Sequence, residues 1–112
     1  MVRNLTGDLR AANRALEQAL DISVTLTDRP GEANALACLG KVRQGAGELT
    51  GAMSVLEQAL ATFRGIGSRL GEANALCWLG DAVREAGNLP EAARLLKQAL
   101  VISRDRQPAR HG

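Results

Sequence analysis

Tyrosine is missing from this 112-residue chain, phenylalanine and tryptophan occur once each, and the one histidine, His111, lies in the tail. With so few rings, a core must be built from small and branched aliphatic side chains on closely approaching elements, and alanine (19) and leucine (17) supply them. Strand formers are scarce. The two cysteines, Cys38 and Cys77, form no Cys-x-x-Cys pair, so with a single histidine no metal site is expected. Neither a Ser-His-Asp nor a Cys-His set can be assembled, and Asp81 with Glu85 reads as a solvated helix face rather than an acid–base pair. The chain is therefore not expected to be an enzyme or to carry a cofactor. Lysine occurs twice against 12 arginines and 12 acids, no run of five like charges occurs, and the net charge is +2. That balance gives no electrostatic case for nucleic acid or an anionic membrane. No stretch approaches 18 consecutive apolar residues and charges run through residues 1–25, so neither a membrane span nor a secretory signal is expected, and the cytoplasm is the default location. Gly65-Ile-Gly67-Ser-Arg-Leu-Gly71 lacks the Gly-Lys-Ser/Thr ending of a phosphate loop and reads as a helix–helix turn.

What is present is a repeat. Residues 31–70 and 71–110 align without a gap and are identical at 17 of 40 positions, including the blocks GEANAL, LG, AG and QAL. Residues 6–30 carry the Gly-acid-Leu and LEQAL signals of 46–70 at the same offset, so a partial copy precedes the two complete ones. The expected organisation is a single domain over 1–112: a partial repeat (1–30, second helix only), then repeats at 31–70 and 71–110. Stacks of such units bind other molecules on extended faces rather than performing chemistry in a pocket.

Each unit resolves into two amphipathic helices. Leu36, Leu39, Val42 and Ala46 recur at spacings of three and four, as do Leu76, Leu79, Val83 and Ala86. Asp28 and Ser68 are N-cap types just ahead of these stripes, Pro30 is tolerated in a first turn, and Gly47 and Gly87 suit left-handed caps. In the second half Leu49, Ala52, Met53, Leu56, Ala59, Leu60 and Phe63 trace one face, echoed by Leu89, Ala92, Leu96, Ala99 and Leu100. Asn88 with Glu91 reads as a capping box, with Pro90 in the first turn. Gly40 and Gly80 fall in mid-helix, where glycine costs about 1 kcal/mol relative to alanine. Close approach to Ala52, Ala59, Ala92 and Ala99 is the expected compensation.

Leu-Gly in the first helix, Gly seven residues later, then a hydrophobic residue, Ala, Leu and Ala-Leu resembles the tetratricopeptide repeat across residues 7–104. The resemblance implies an all-α fold, a right-handed solenoid of antiparallel helix pairs with about five helices, working as a protein- or peptide-binding scaffold. The unit is longer than the family's usual 34 residues and is similar to the long repeats of kinesin light chains, bacterial signal-transducing ATPases and antibiotic-pathway regulators. That likeness implies the interaction or sensor segment of a larger bacterial regulator. The usual Tyr after Leu-Gly is Arg43 in one copy and Val83 in the other, and the sequence gives Arg43 no evident role.

In this family the first helices line the concave groove, which implies Asn34, Ala37, Cys38, Lys41 and Gln44 from one unit and Asn74, Cys77, Trp78, Asp81, Arg84 and Glu85 from the next as ligand-facing. Asn34 and Asn74 either give amide bonds to a peptide backbone or serve local capping and solvent. Trp78 either anchors a partner or plugs a gap between first helices. Cys38 and Cys77 are expected to act as small packed hydrophobes and as reduced thiols. Gly7 aligns with Gly47 and Gly87, so residues 1–6 are expected to be the end of a first helix. The stripe Leu9, Ala12, Leu16, Ala19 and Leu20 is then left without its own-unit partner, which points to a homodimer through the N-terminal helix. Lys97, Arg104, Asp105, Arg106 and Arg110 suggest a polar finish at the other end. Self-assembly through the stacking ends is the alternative role.

Overall fold

The computed structural model of the chain describes residues 5–106, with side chains from 8 to 105. His111, Arg110, the side chain of Arg106 and residues 1–4 lie outside them. Five helices follow one another: α1 (Leu5–Thr25), α2 (Arg29–Gly45), α3 (Leu49–Gly65), α4 (Arg69–Glu85) and α5 (Leu89–Arg106). Each packs against the next, and α2 also touches α4, whereas the backbones of α1, α3 and α5 do not approach one another closely. The helices therefore form two layers, an inner one of α2 and α4 and an outer one of α1, α3 and α5. The architecture is an all-α solenoid of helix pairs.

All four turns share one hydrogen-bond pattern. At the second turn Gly47 N–H bonds Gln44 C=O at 3.0 Å and Glu48 N–H bonds Arg43 C=O at 2.8 Å, which satisfies carbonyls the helix leaves open. The same two bonds recur around residues 27, 67 and 87. The pivotal residue needs positive φ: Gly47 (83°), Gly67 (73°) and Gly87 (95°) adopt it freely, and Thr27 (57°) adopts it against its branched Cβ. Asp28 and Ser68 then cap the next helix, accepting from Gly31 N–H at 3.0 Å and Gly71 N–H at 3.1 Å. Asn88 accepts from Glu91 N–H at 3.3 Å, but the return half of the expected capping box is absent because the Glu91 carboxylate binds Arg94 instead. Gly7 forms no turn: α1 runs through it, so the first-helix remnant expected up to residue 6 is corrected to the start of α1. Glycine accepts either conformation, and the left-handed one is adopted where the chain folds back onto a following helix.

The core runs along both layers, from Ala33, Leu36 and Leu39 on α2 through Leu56, Ala59 and Phe63 on α3 to Leu76, Leu79 and Ala82 on α4. Gly40 is filled by Leu56: a Cβ there would fall 2.6 Å from Leu56 Cδ2. A leucine knob, rather than the expected alanines, thus occupies the gap. Gly80 receives Leu96 in the same way but less tightly, at 3.1 Å from Cγ and Cδ2. A third glycine, Gly71, admits the buried Phe63 ring, whose Cγ would lie 2.6 Å from an added Cβ.

The face of α5 differs from expectation. Ala92 and Ala99 are buried as expected, joined by Leu95 and Ile102, while Leu89, Leu96 and Leu100 are exposed. Leu56 is 0% and Leu60 7% exposed on α3, whereas their counterparts Leu96 and Leu100 are 40% and 53% exposed on α5. On α3 this flank is covered by α4, and no described helix lies beyond α5. The polar finish expected at this end is accordingly incomplete, since exposed Leu96, Leu100 and Val101 stand among Lys97, Arg104 and Asp105.

Candidate functional site

The inner layer holds the side chains expected to meet a ligand. Helices α2 and α4 touch each other, and polar side chains of both share one surface. Gln44 Nε2 spans the two helices, donating to Asp81 Oδ2 at 3.3 Å and to Glu85 Oε2 at 2.8 Å. Arg84 pairs with Asp81. Its donated hydrogen bond holds the Asp81 carboxyl below the usual carboxylate range, against partial burial and with help from Gln44. One turn away, Lys41 Nζ lies 4.9 Å from the centroid of the Trp78 ring, a cation–π contact between the same two helices. Trp78 is half-buried and packs against the core edge, so one part of it plugs the seam while another part meets solvent.

The remaining expected groove residues are not drawn into this network. Asn34 and Asn74 are exposed, and neither side chain makes a hydrogen bond among the described residues, which sets aside the capping reading. Cys38 and Cys77 are free and exposed rather than packed, which corrects their assignment as small core hydrophobes. Ala37, on the contrary, is buried and faces no ligand. The difference between Ala37 and its counterpart Cys77 is coverage, because α4 flanks α2 and no described helix flanks α4 in turn. Among the described residues no three metal-ligating side chains converge.

The N-terminal stripe also has a different setting. Leu9, Ala12, Leu16 and Leu20 are half-buried along α1, with Leu16 and Leu20 packed on the core beside α2, and only Ala19 is exposed. The homodimer expected through these residues therefore lacks the open stripe it required.

The family model for the tetratricopeptide repeat matches residues 31–105. The chain belongs to the tetratricopeptide repeat family. No curated protein matches it significantly. Tetratricopeptide repeats are generally scaffolds for protein–protein interaction. No helix among the described residues is long and apolar enough to cross a membrane.

Sequence reasoning overlooked the outer seam. Arg43, which takes the place of the family's usual Tyr, turns away from the groove and donates to Asn13 Oδ1 at 3.3 Å and to Glu17 Oε2 at 3.3 Å on α1. The signal was available in the repeat itself, because the positions 40 residues on from Asn13 and Arg43 are Met53 and Val83.

Proposed function

We propose that this tetratricopeptide repeat segment docks an extended peptide of a protein partner along the inner face of α2 and α4, as the interaction or sensor part of a larger cytoplasmic bacterial regulator. The observation that carries the reading is the pair of exposed amides, Asn34 and Asn74, one repeat apart beside the Lys41–Trp78 contact. Two exposed amides one repeat apart can each give and accept a bond to an extended backbone, and Trp78 adds an aromatic ring one helical turn beyond Asn74. The 40-residue unit and the arginine- and alanine-heavy composition support the bacterial regulatory setting. Selection of a displayed random-peptide library on the immobilised chain tests the docking face. Enriched peptides should lose about tenfold or more in affinity with Trp78→Ala, and further with Asn34→Ala plus Asn74→Ala. Peptides that bind all variants equally would assign recognition to another surface.

A second reading, self-assembly through the stacking ends, is favoured by the exposed Leu89, Leu96 and Leu100 on α5. Contiguous apolar exposure of this kind marks interfaces. Sedimentation of the parent and of Leu96→Glu with Leu100→Glu decides it, with a monomeric parent at tens of micromolar counting against assembly.

A further inference from the structure

The seam between α1 and α2 differs from the seam between α3 and α4 in a way that the fold does not require. At the second seam, Met53 packs on the core and Val83 is buried within it. At the first seam the same positions are Asn13 and Arg43, hydrogen-bonded to each other, and Thr50 and Ser54 are replaced by Arg10 and Arg14. An apolar contact has thus been exchanged for a polar pair flanked by two guanidinium groups. Arg10 and Arg14 stand one helical turn apart, where like charges repel, and neither makes an ion pair or hydrogen bond among the described residues. Several arginines elsewhere on the helices have partners: Arg64 with Glu72, Arg69 with Asp105, Arg84 with Asp81 and Arg94 with Glu91.

These residues surround a cleft of about 380 Å³, within the size range of small-ligand sites. Leu9 and Val42 give it an apolar floor, and Arg10, Arg14 and Arg43 converge on it with Asn13. Glu48 is the one carboxylate among the described residues of its lining, while Glu17 is already engaged by Arg43. The start of α1 and the end of α2 lie side by side here, so their opposed dipoles offset and the guanidinium groups set the sign of the field. Guanidinium forks match tetrahedral oxyanions, and the apolar floor suits the carbon skeleton attached to one.

We propose that this cleft is an anion site for a phosphate monoester, distinct from the inner groove, with Arg10 and Arg14 binding the phosphate oxygens and Leu9 and Val42 contacting the ester carbon. The ester is borne either by a free metabolite or by a phosphorylated side chain of a protein, and the recognised chemistry is the same. The test is titration of the ¹⁵N-labelled chain with glycerol 3-phosphate and, in a parallel arm, with a phosphoserine hexapeptide, against sodium chloride of equal ionic strength. The expected result is saturable amide shifts confined to residues 9–14 and 42–48, with the tighter arm identifying the source. Arg10→Gln with Arg14→Gln should weaken binding about tenfold or more. Asn13→Met with Arg43→Val, which rebuilds the second seam's apolar pair, should fold at least as stably as the parent and also lose binding. Shifts no larger than those from chloride in both arms would overturn the proposal, as would saturable binding that persists in Arg10→Gln with Arg14→Gln.

Discussion

Helices α3 and α5 are the second helices of two copies of one unit, yet the leucine pair buried on α3 is open on α5. Leu56 fills the Gly40 gap of its own unit while α4 also packs on α3, whereas Leu96 fills the Gly80 gap with no described helix beyond α5. Two nearly equivalent sequences therefore reach different degrees of burial because only α3 has a further described helix stacked upon it. In a stacked repeat each apolar side chain answers to two neighbours, its own partner helix and the first helix of the next unit, and the edge of the stack receives only the first.

The contrast is tested most sharply by removing the same side chain from both copies. Leu56→Ala should cost about 3–5 kcal/mol, since it leaves a closed cavity, and Leu96→Ala less than about 1.5 kcal/mol, measured by urea unfolding. Equal losses would mean that the edge of the stack is packed as tightly as its middle. The glycines beneath these leucines make the second contrast. Gly40→Ala would drive a Cβ into the fully buried Leu56, which has nowhere to move, and should destabilise by about 2 kcal/mol. At Gly80 the half-open Leu96 can give by a few tenths of an ångström, so Gly80→Ala should be neutral or gain up to about 1 kcal/mol from helix propensity.

Helix ends should show the opposite behaviour, because capping is local and indifferent to position in the stack. Asp28→Ala and Ser68→Ala should each cost about 1 kcal/mol. Glu48 makes no side-chain cap, so Glu48→Asn should gain about 0.5–1 kcal/mol, and thermal melts that rank the three changes by position rather than by cap chemistry would contradict this. Thr27 is the one turn pivot with a Cβ, and Thr27→Gly should raise stability by about 0.5–1 kcal/mol by relieving its positive φ.

The smallest effect concerns acid. Asp81 is held below its ordinary pKa by Arg84, so its contribution is present above the unfolded carboxylate range and is lost as pH falls through the folded value. The side chain is half exposed, and about 0.3 kcal/mol is the expected scale after screening. The stability difference between the parent and Asp81→Asn should therefore shrink between about pH 5 and pH 3, measured by urea unfolding at each pH.

Apart from the start of α1, the helices and their ends were legible in the amino-acid sequence alone. The 40-residue period, the cap residues Asp28 and Ser68, the pivots Gly47 and Gly87 and the prolines in first turns act over three or four residues, so their meaning is complete before the chain packs. The sequence also carried the family pattern and identified the glycine gaps, although not the leucines, Leu56 and Leu96, that fill them. Stacking settled whatever depends on a neighbour from elsewhere in the chain. It turned Leu95 and Ile102 of α5 inward and left Leu96 and Leu100 open, exposed Cys77 where Ala37 is covered, and carried Gln44 across to Asp81 and Arg43 back to Asn13 and Glu17. Periodicity tells which residues share a face, but burial and pairing are set by whether another helix lies against that face, and that coverage arises only when the units stack.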